Sequence, residues 1–254
     1  MRRGFYGLLF ICLVAAGCFR RSPETRDTHL IPSHQLFDSL LQLYVDDRGW
    51  VAYDSFQVHR NLLNAYLDTL SHHPPGSSWA QEDRIAYWIN AYNAFTIELV
   101  LQHKQPASIK DIGSAISVPF VNTPWQIDFI KIGDEVFNLD DIEHGILRRE
   151  FDEPRVHFAL VCASRSCPPL RREVYQGDKL DEQLTSQAEI FLADTLRNKV
   201  EHTHVKLSKL FQWYAGDFTA HATLLEYVNQ YAPVLIYDEA TVEYLDYDWR
   251  LNKQ

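Results

Sequence analysis

Between Trp79 and about His103 the chain keeps a helical period in which nearly every face is apolar. Ile85, Trp88, Tyr92, Phe95 and Leu99 recur at helical spacing, and most of their neighbours are apolar too. A helix that is hydrophobic all round belongs in an interior. The stretch is therefore read as a buried helix. Two amides interrupt it, Asn90 and Asn93, which at this spacing share one face. Buried amides need hydrogen-bond partners. They either hold loop backbone and fix the fold, or line a pocket and orient a substrate or a catalytic histidine.

The flanking patterns are shorter. Ser33 can cap a helix that carries Leu36, Phe37, Leu40, Leu41 and Tyr44 on one face. Trp50, Val51 and Tyr53 read as an extended piece, and a second helix carries Phe56, Leu62, Leu63, Tyr66 and Leu67. The stretch from Ser71 to Ser78, with Pro74, Pro75 and Gly76, reads as a loop. Trp125, Ile127 and Phe129 alternate, as do Ile130 and Ile132. Gly133-Asp134 before Val136 and Phe137 then predicts a β-hairpin. Asp140 and Glu143 resemble a capping-box pair. Pro154 precedes an apolar run, Val156 to Val161, read as a strand that ends at Cys162. Pro168 and Pro169 keep the following loop from becoming helix. Beyond it, 180–196 reads as a helix, 200–207 as extended, and 210–218 and 224–231 as short helices. Closing strands are expected at 234–236 and 242–247. Helices precede strands without βαβ alternation, so the expected class is α+β. Residues 33–254 would form one domain, a helix-rich N-terminal half on a mainly antiparallel sheet. No glycine-rich phosphate loop or dinucleotide fingerprint is present.

The N-terminus reads as an export signal. Arg2 and Arg3 precede an apolar run from Phe5 to Ala16, and small residues Ala15, Ala16 and Gly17 lead to Cys18. The run is shorter than the ~20 residues that a spanning helix needs. Residues 1–17 are thus expected to be a signal peptide. Leu13 to Cys18 resembles the bacterial lipobox, in which the cysteine becomes the lipidated N-terminus. Such a cysteine carries more than one acyl chain, enough for stable anchoring. Residues 18–32 are polar and read as a tether. In a Gram-negative cell, Phe19 rather than an aspartate after the lipid cysteine leads to the expectation of the outer membrane, facing the periplasm. The expected location is the bacterial cell envelope, with the membrane as partner through the lipid. A net charge of −10 argues against nucleic acid as a partner.

The same signal changes the cysteine arithmetic. Of four cysteines, Cys12 leaves with the signal and Cys18 is taken by lipid, so Cys162 and Cys167 remain. In an oxidising envelope such a pair suggests a disulfide. A nucleophilic Cys162 would instead need a base or cation, with His144, His157 or Arg165 to hand. A strand would put His157 and Cys162 on opposite sides, which favours His144 as the base. His144, His157, Cys162 and Cys167 also offer zinc-ligand types, but their spacing matches no standard pattern. No metal and no cofactor is assigned. Arg148, one turn beyond His144, can grip a carboxylate with both arms of its fork.

These segments resemble an established family. Tyr87 to Phe95, Leu139 to Arg148, His157 to Leu170, Lys209 to Phe218 and Tyr247 to Asn252 are similar, in order, to signature blocks of domain of unknown function 547, spanning about 79–252. The resemblance implies recurrent roles for Asn90, Asn93, Glu143, His144, Arg148, His157, Cys162, Arg165, Cys167 and Asp217. A Cys, His, Glu and Asn set is also similar to that of papain-like and transglutaminase-like cysteine enzymes, which implies a distant relationship of fold. In those enzymes the nucleophile opens a helix, whereas Pro168 and Pro169 follow Cys162 closely here. Two readings of function are carried forward. One is a thiol-dependent hydrolase or acyl-transfer enzyme acting on a small molecule or peptide. Cys162 is its nucleophile, His144 its base and Glu143 or Asn90 its orienting group, while Asn93, Arg148, His157 and Arg165 bind. The other is a non-catalytic binding or scaffold protein with a structural Cys162–Cys167 disulfide.

Overall fold

The computed structural model describes residues 30–113 and 123–254. The signal peptide read at 1–17, Cys18 and the tether up to residue 29 lie outside these residues. Among the described residues no helix is long and apolar enough to cross a membrane.

The chain is an α+β domain built around one buried helix. Helix α1 (Gln35–Tyr44) packs Phe37, Leu40 and Leu41 inward. Ser33 supports its start by accepting the Gln35 amide at 3.3 Å. The segment read as a second helix is two helices, α2 (Tyr53–Val58) and α3 (Arg60–His72), which meet at His59. Tyr53 opens α2 rather than extending a strand, and α3 takes in Ser71 and His72 of the expected loop. Helix α4 (Gln81–Gln102) is the element that the period predicted, and every residue from Ile85 to Leu101 is buried. Glu82 and Asp83 in its first turn complement the positive end of the helix dipole. Its buried Glu98 is held by Arg60 of α3 through two hydrogen bonds of 2.5 and 3.1 Å. Burying that carboxylate without the guanidinium would be costly.

The hairpin forms as expected: β1 (Ile130–Ile132) pairs antiparallel with β2 (Glu135–Phe137), and Gly133 turns with φ +61°. Trp125 and Gln126, read as part of an alternating strand, lie instead in a 3-10 turn, Pro124–Gln126. A π-helix, Asp141–Leu147, follows the hairpin and runs into a single turn, α5 (Arg148–Glu150). The run read as a strand at Val156–Val161 is a short helix, α6 (Val156–Ala159), after which the chain extends toward Cys162. Short apolar runs of this length fit a strand or a buried helical turn equally well. The argument that put His157 and Cys162 on opposite faces does not hold for a helical segment.

Helix α7 (Leu180–Ala193) is followed by a three-stranded sheet. In it β3 (Lys199–Val200) pairs antiparallel with β4 (His204–Leu207), and β4 pairs parallel with β5 (Thr241–Tyr244). Helices α8 (Leu210–Trp213), α9 (Ala215–Phe218) and α10 (Leu224–Asn229) fill the connection between β4 and β5. Val234 to Ile236, expected as a strand, is irregular. Strands therefore form two small sheets rather than one large one. The buried apolar residues form two clusters. The larger surrounds α4, and the smaller joins Phe158, Phe191, Phe211 and Phe218.

The last residues close the molecule. The Asn252 Oδ1 accepts the buried Tyr53 hydroxyl at 2.7 Å. Isolated bridges join Leu251 to Ser164 and Lys253 to Val51. The C-terminal segment is thus threaded between α2 and the cysteine loop, and it carries Tyr247 and Trp249 to the site described next.

Candidate binding cleft

The two amides of α4 are clamps on main chain. Asn90 donates to the Tyr175 carbonyl at 2.8 Å and accepts the Tyr175 amide at 2.9 Å. Asn93 donates to the Ala159 carbonyl and accepts the Val161 amide, each at 2.9 Å. Each side chain thereby replaces a strand partner for a loop that has none. Neither residue lines the cleft. Asn90, assigned as an orienting group, is engaged elsewhere, and Asn93 acts one step back by holding the segment that leads into Cys162.

Between α4, the π-helix, the cysteine loop and the C-terminal segment lies a cleft of about 310 Å³. Its polar floor comprises Asp140, Glu143 and His144, and its walls include Trp125, Trp213 and Trp249. Glu143 is not a capping residue. The reciprocal bonds of a box are made two positions earlier. Asn138 donates its amide to Asp141 at 3.0 Å, and its side-chain oxygen accepts the Asp141 amide at 2.8 Å. Glu143 is therefore free to turn inward. One carboxylate oxygen accepts the Tyr214 hydroxyl at 2.5 Å, and the other accepts the Tyr92 hydroxyl at 3.2 Å. Burial, followed by the charge of Glu143, pushes both phenols far above their ordinary range, so both remain donors. Burial also raises the Asp140 carboxyl, with His144 opposing and Glu143 adding to the effect. π-helical turns occur frequently at functional sites, and this one carries Glu143, His144 and the buried Gly145.

A second network stands behind the floor. Arg148 holds Asp217 of α9 with both arms of its fork, at 2.6 and 2.9 Å. Its remaining arm lies 3.0 Å from His144 Nδ1. A guanidinium only donates, so Nδ1 accepts and the imidazole proton sits on Nε2. His157, from α6, donates Nε2–H to Asp217 at 2.7 Å. Its ring stacks on Tyr214 with centroids 3.8 Å apart. Burial lowers the His157 pKa despite the opposing carboxylate, so it is held as a neutral donor. Burial acts to raise the Asp217 carboxyl, but the bonds from His157 and Arg148 outweigh it and hold it well below its usual range. Tyr214 ties the two networks together through Glu143, His157 and Arg148, whose guanidinium lies 5.0 Å over its ring.

Cys162 and Cys167 are joined as a disulfide with Cα atoms 6.2 Å apart, and both line the cleft. This spacing is within the usual range. Among the described residues the hydrogen-bond partners of the Cys162 sulfur are Ser164 at 3.3 Å and Tyr247 at 3.5 Å. No histidine is among them. Arg165 is not in the cleft: its guanidinium lies 4.8 Å over Trp50, and Nε donates to the Leu251 carbonyl. Among the described residues no group of three or more His, Cys, Asp or Glu is placed to hold a metal ion.

Periodicity places Trp125 in an alternating run, but marks none of Trp125, Trp213, Tyr247 and Trp249 as a site residue. Three tryptophans and a tyrosine converge there: Tyr247 lies 4.4 Å from Trp249 and 4.7 Å from Trp213 between ring centroids, and Trp249 lies 5.8 Å from Trp125. Trp213 is 46 % exposed, unusual for a tryptophan in a chain with a full core. Two of the motif blocks contain Trp213, Tyr247 and Trp249, and Trp125 lies in none, so nothing in their spacing says that they meet.

No curated protein and no solved structure matches the chain. Residues 76–192 match the family model described as protein of unknown function, DUF547. The matched segment holds α4, the π-helix, α6 and both cysteines, and stops before Tyr214, Asp217 and the C-terminal aromatics. Over this segment the chain is similar to the DUF547 family.

Proposed function

We propose that the protein is an exported, lipid-anchored ligand-binding protein of the bacterial cell envelope. Its cleft takes a small molecule or peptide with an apolar or aromatic face and a cationic or hydroxyl donor. The observation that carries this reading is the convergence of aromatic walls on an acidic floor. Pockets that bind organic ligands are mostly apolar with a few placed polar groups, and ring faces attract cations. Arg148 is engaged by Asp217, so its guanidinium is not bonded to Asp140 or Glu143, which both line the cleft. The disulfide supports an oxidising compartment, in keeping with the signal sequence and Cys18. The hydrolase reading is the weaker one. It needs a free Cys162 with a histidine in reach, and the sulfur is bonded to Cys167 with Ser164 and Tyr247 as neighbours.

The test is a tryptophan-fluorescence titration of the mature protein with phenethylamine, 2-phenylethanol and phenylacetate. The amine should bind tightest and the acid not at all, and Glu143→Gln should weaken the amine about tenfold. Equal affinity for amine and acid, or no response to any of the three, would overturn the reading.

A further inference from the structure

The disulfide sits where a ligand would meet it. It lines the cleft with Cys162 half-buried, whereas Cys167 is 2 % exposed. The Cys167 sulfur is also provided with hydrogen-bond donors that a cystine sulfur, a weak acceptor, has little need of. The Cys162 amide donates to it at 3.0 Å, and the Tyr247 hydroxyl at 3.3 Å. Ser164 lies 3.3 Å from the same sulfur and donates to the Tyr247 oxygen at 3.1 Å, which orients that phenol. Burial pushes the Tyr247 phenol up, so it keeps its proton. Donors in this arrangement stabilise a thiolate, and a stabilised thiolate is the better leaving group in exchange.

We propose that Cys162–Cys167 is a thiol–disulfide exchange site that oxidises a dithiol bound in the cleft. The inference rests on the cleft reading, because the dithiol enters there. A thiolate of the ligand attacks the Cys162 sulfur. A ligand–Cys162 disulfide forms, the Cys162–Cys167 bond breaks, and Cys167 leaves as the thiolate held by the Cys162 amide and Tyr247. The second ligand thiol, as its thiolate, attacks its own sulfur in the mixed disulfide and releases Cys162. The ligand leaves as a disulfide with two electrons fewer, and the protein holds two thiols. The reverse reaction, with a disulfide as substrate, restores the cystine.

The test treats the folded, oxidised full chain with dithiothreitol or glutathione, then alkylates and weighs the protein. The disulfide should open without denaturant. In Cys167→Ser, oxidised glutathione should cap Cys162. Tyr247→Phe should slow reduction about tenfold, the loss expected for one bond to a charged sulfur, while near-ultraviolet dichroism stays native. Saturating phenethylamine should slow reduction of the unmodified protein. Reduction only after unfolding, or a rate unchanged by Tyr247→Phe, would overturn the proposal. So would a rate unchanged while phenethylamine is bound, which would leave the binding reading intact. If phenethylamine fails to bind, the binding reading falls, and the Tyr247→Phe rate still decides for or against the cystine.

Discussion

Replacing Asn93 by alanine should show how the cleft wall is held. The side chain is 3 % exposed and makes one bond to the Ala159 carbonyl and one from the Val161 amide, both at 2.9 Å. Alanine leaves both main-chain groups buried without this partner and opens a small void. An unsatisfied buried group costs roughly 1–3 kcal/mol. Two of them imply a loss of about 3–5 kcal/mol after partial relaxation. For a domain of this size that corresponds to a melting point lower by roughly 6–20 °C. The assay is thermal and urea unfolding followed by circular dichroism, with the disulfide intact. Asn93→Asp sharpens the test because it keeps the shape. Its Oδ1 still accepts the Val161 amide, but the other oxygen then faces the Ala159 carbonyl as a buried anion. Burial raises a carboxyl pKa, and once protonated the carboxyl can donate to that carbonyl. The aspartate variant should therefore be the less stable at neutral pH and should recover relative to the parent as pH falls. An alanine variant within about 1 kcal/mol of the parent, or an aspartate variant indifferent to pH, would refute the clamp.

Three further outcomes follow from the same geometry. His157 is held below its ordinary pKa of 6.5, so its contribution to stability is whole above that pH and is lost as pH falls through the folded value. Asp217, also depressed, adds a second loss below 3.8. The melting point should fall in both windows, and His157→Gln should flatten the first and shrink the second toward the part that Arg148 supplies. Gly49 turns with φ +76°, and a Cβ there would lie 2.5 Å from the Leu170 nitrogen and 2.6 Å from the Pro169 Cα. Gly49→Ala should cost roughly 2 kcal/mol from backbone strain and crowding, read by urea unfolding. Replacing both Cys162 and Cys167 by serine removes a short cross-link worth about 2 kcal/mol by loop closure, which reductant-free denaturation of the pair of proteins would measure.

Much of the scaffold was legible because its signals are local. The all-round apolar period over Ile85 to Leu101 could only be a buried helix, and Gly133-Asp134 between alternating residues announced its hairpin. A pair of buried amides announced a need for partners, but not that both would clamp loop main chain. Glu143, His144, Cys162 and Cys167 were recognisable as chemistry-bearing residues, and they do share one cleft.

What only tertiary structure decided is who meets whom. The run at Val156 to Val161 is too short for its period to choose between strand and helix, and packing on Phe191, Phe211 and Phe218 accompanies the helical turn. Glu143 looked like a cap because Asp140 stands three residues before it. The cap formed instead between Asn138 and Asp141, which released Glu143 to the two tyrosines. Tyr92, Tyr214 and Tyr247 come from α4, the α8–α9 junction and the C-terminal segment, and no spacing along the chain encodes their approach. Periodicity reports which face of one element avoids water. A site made from elements as distant in sequence as these is set by how those faces pack together.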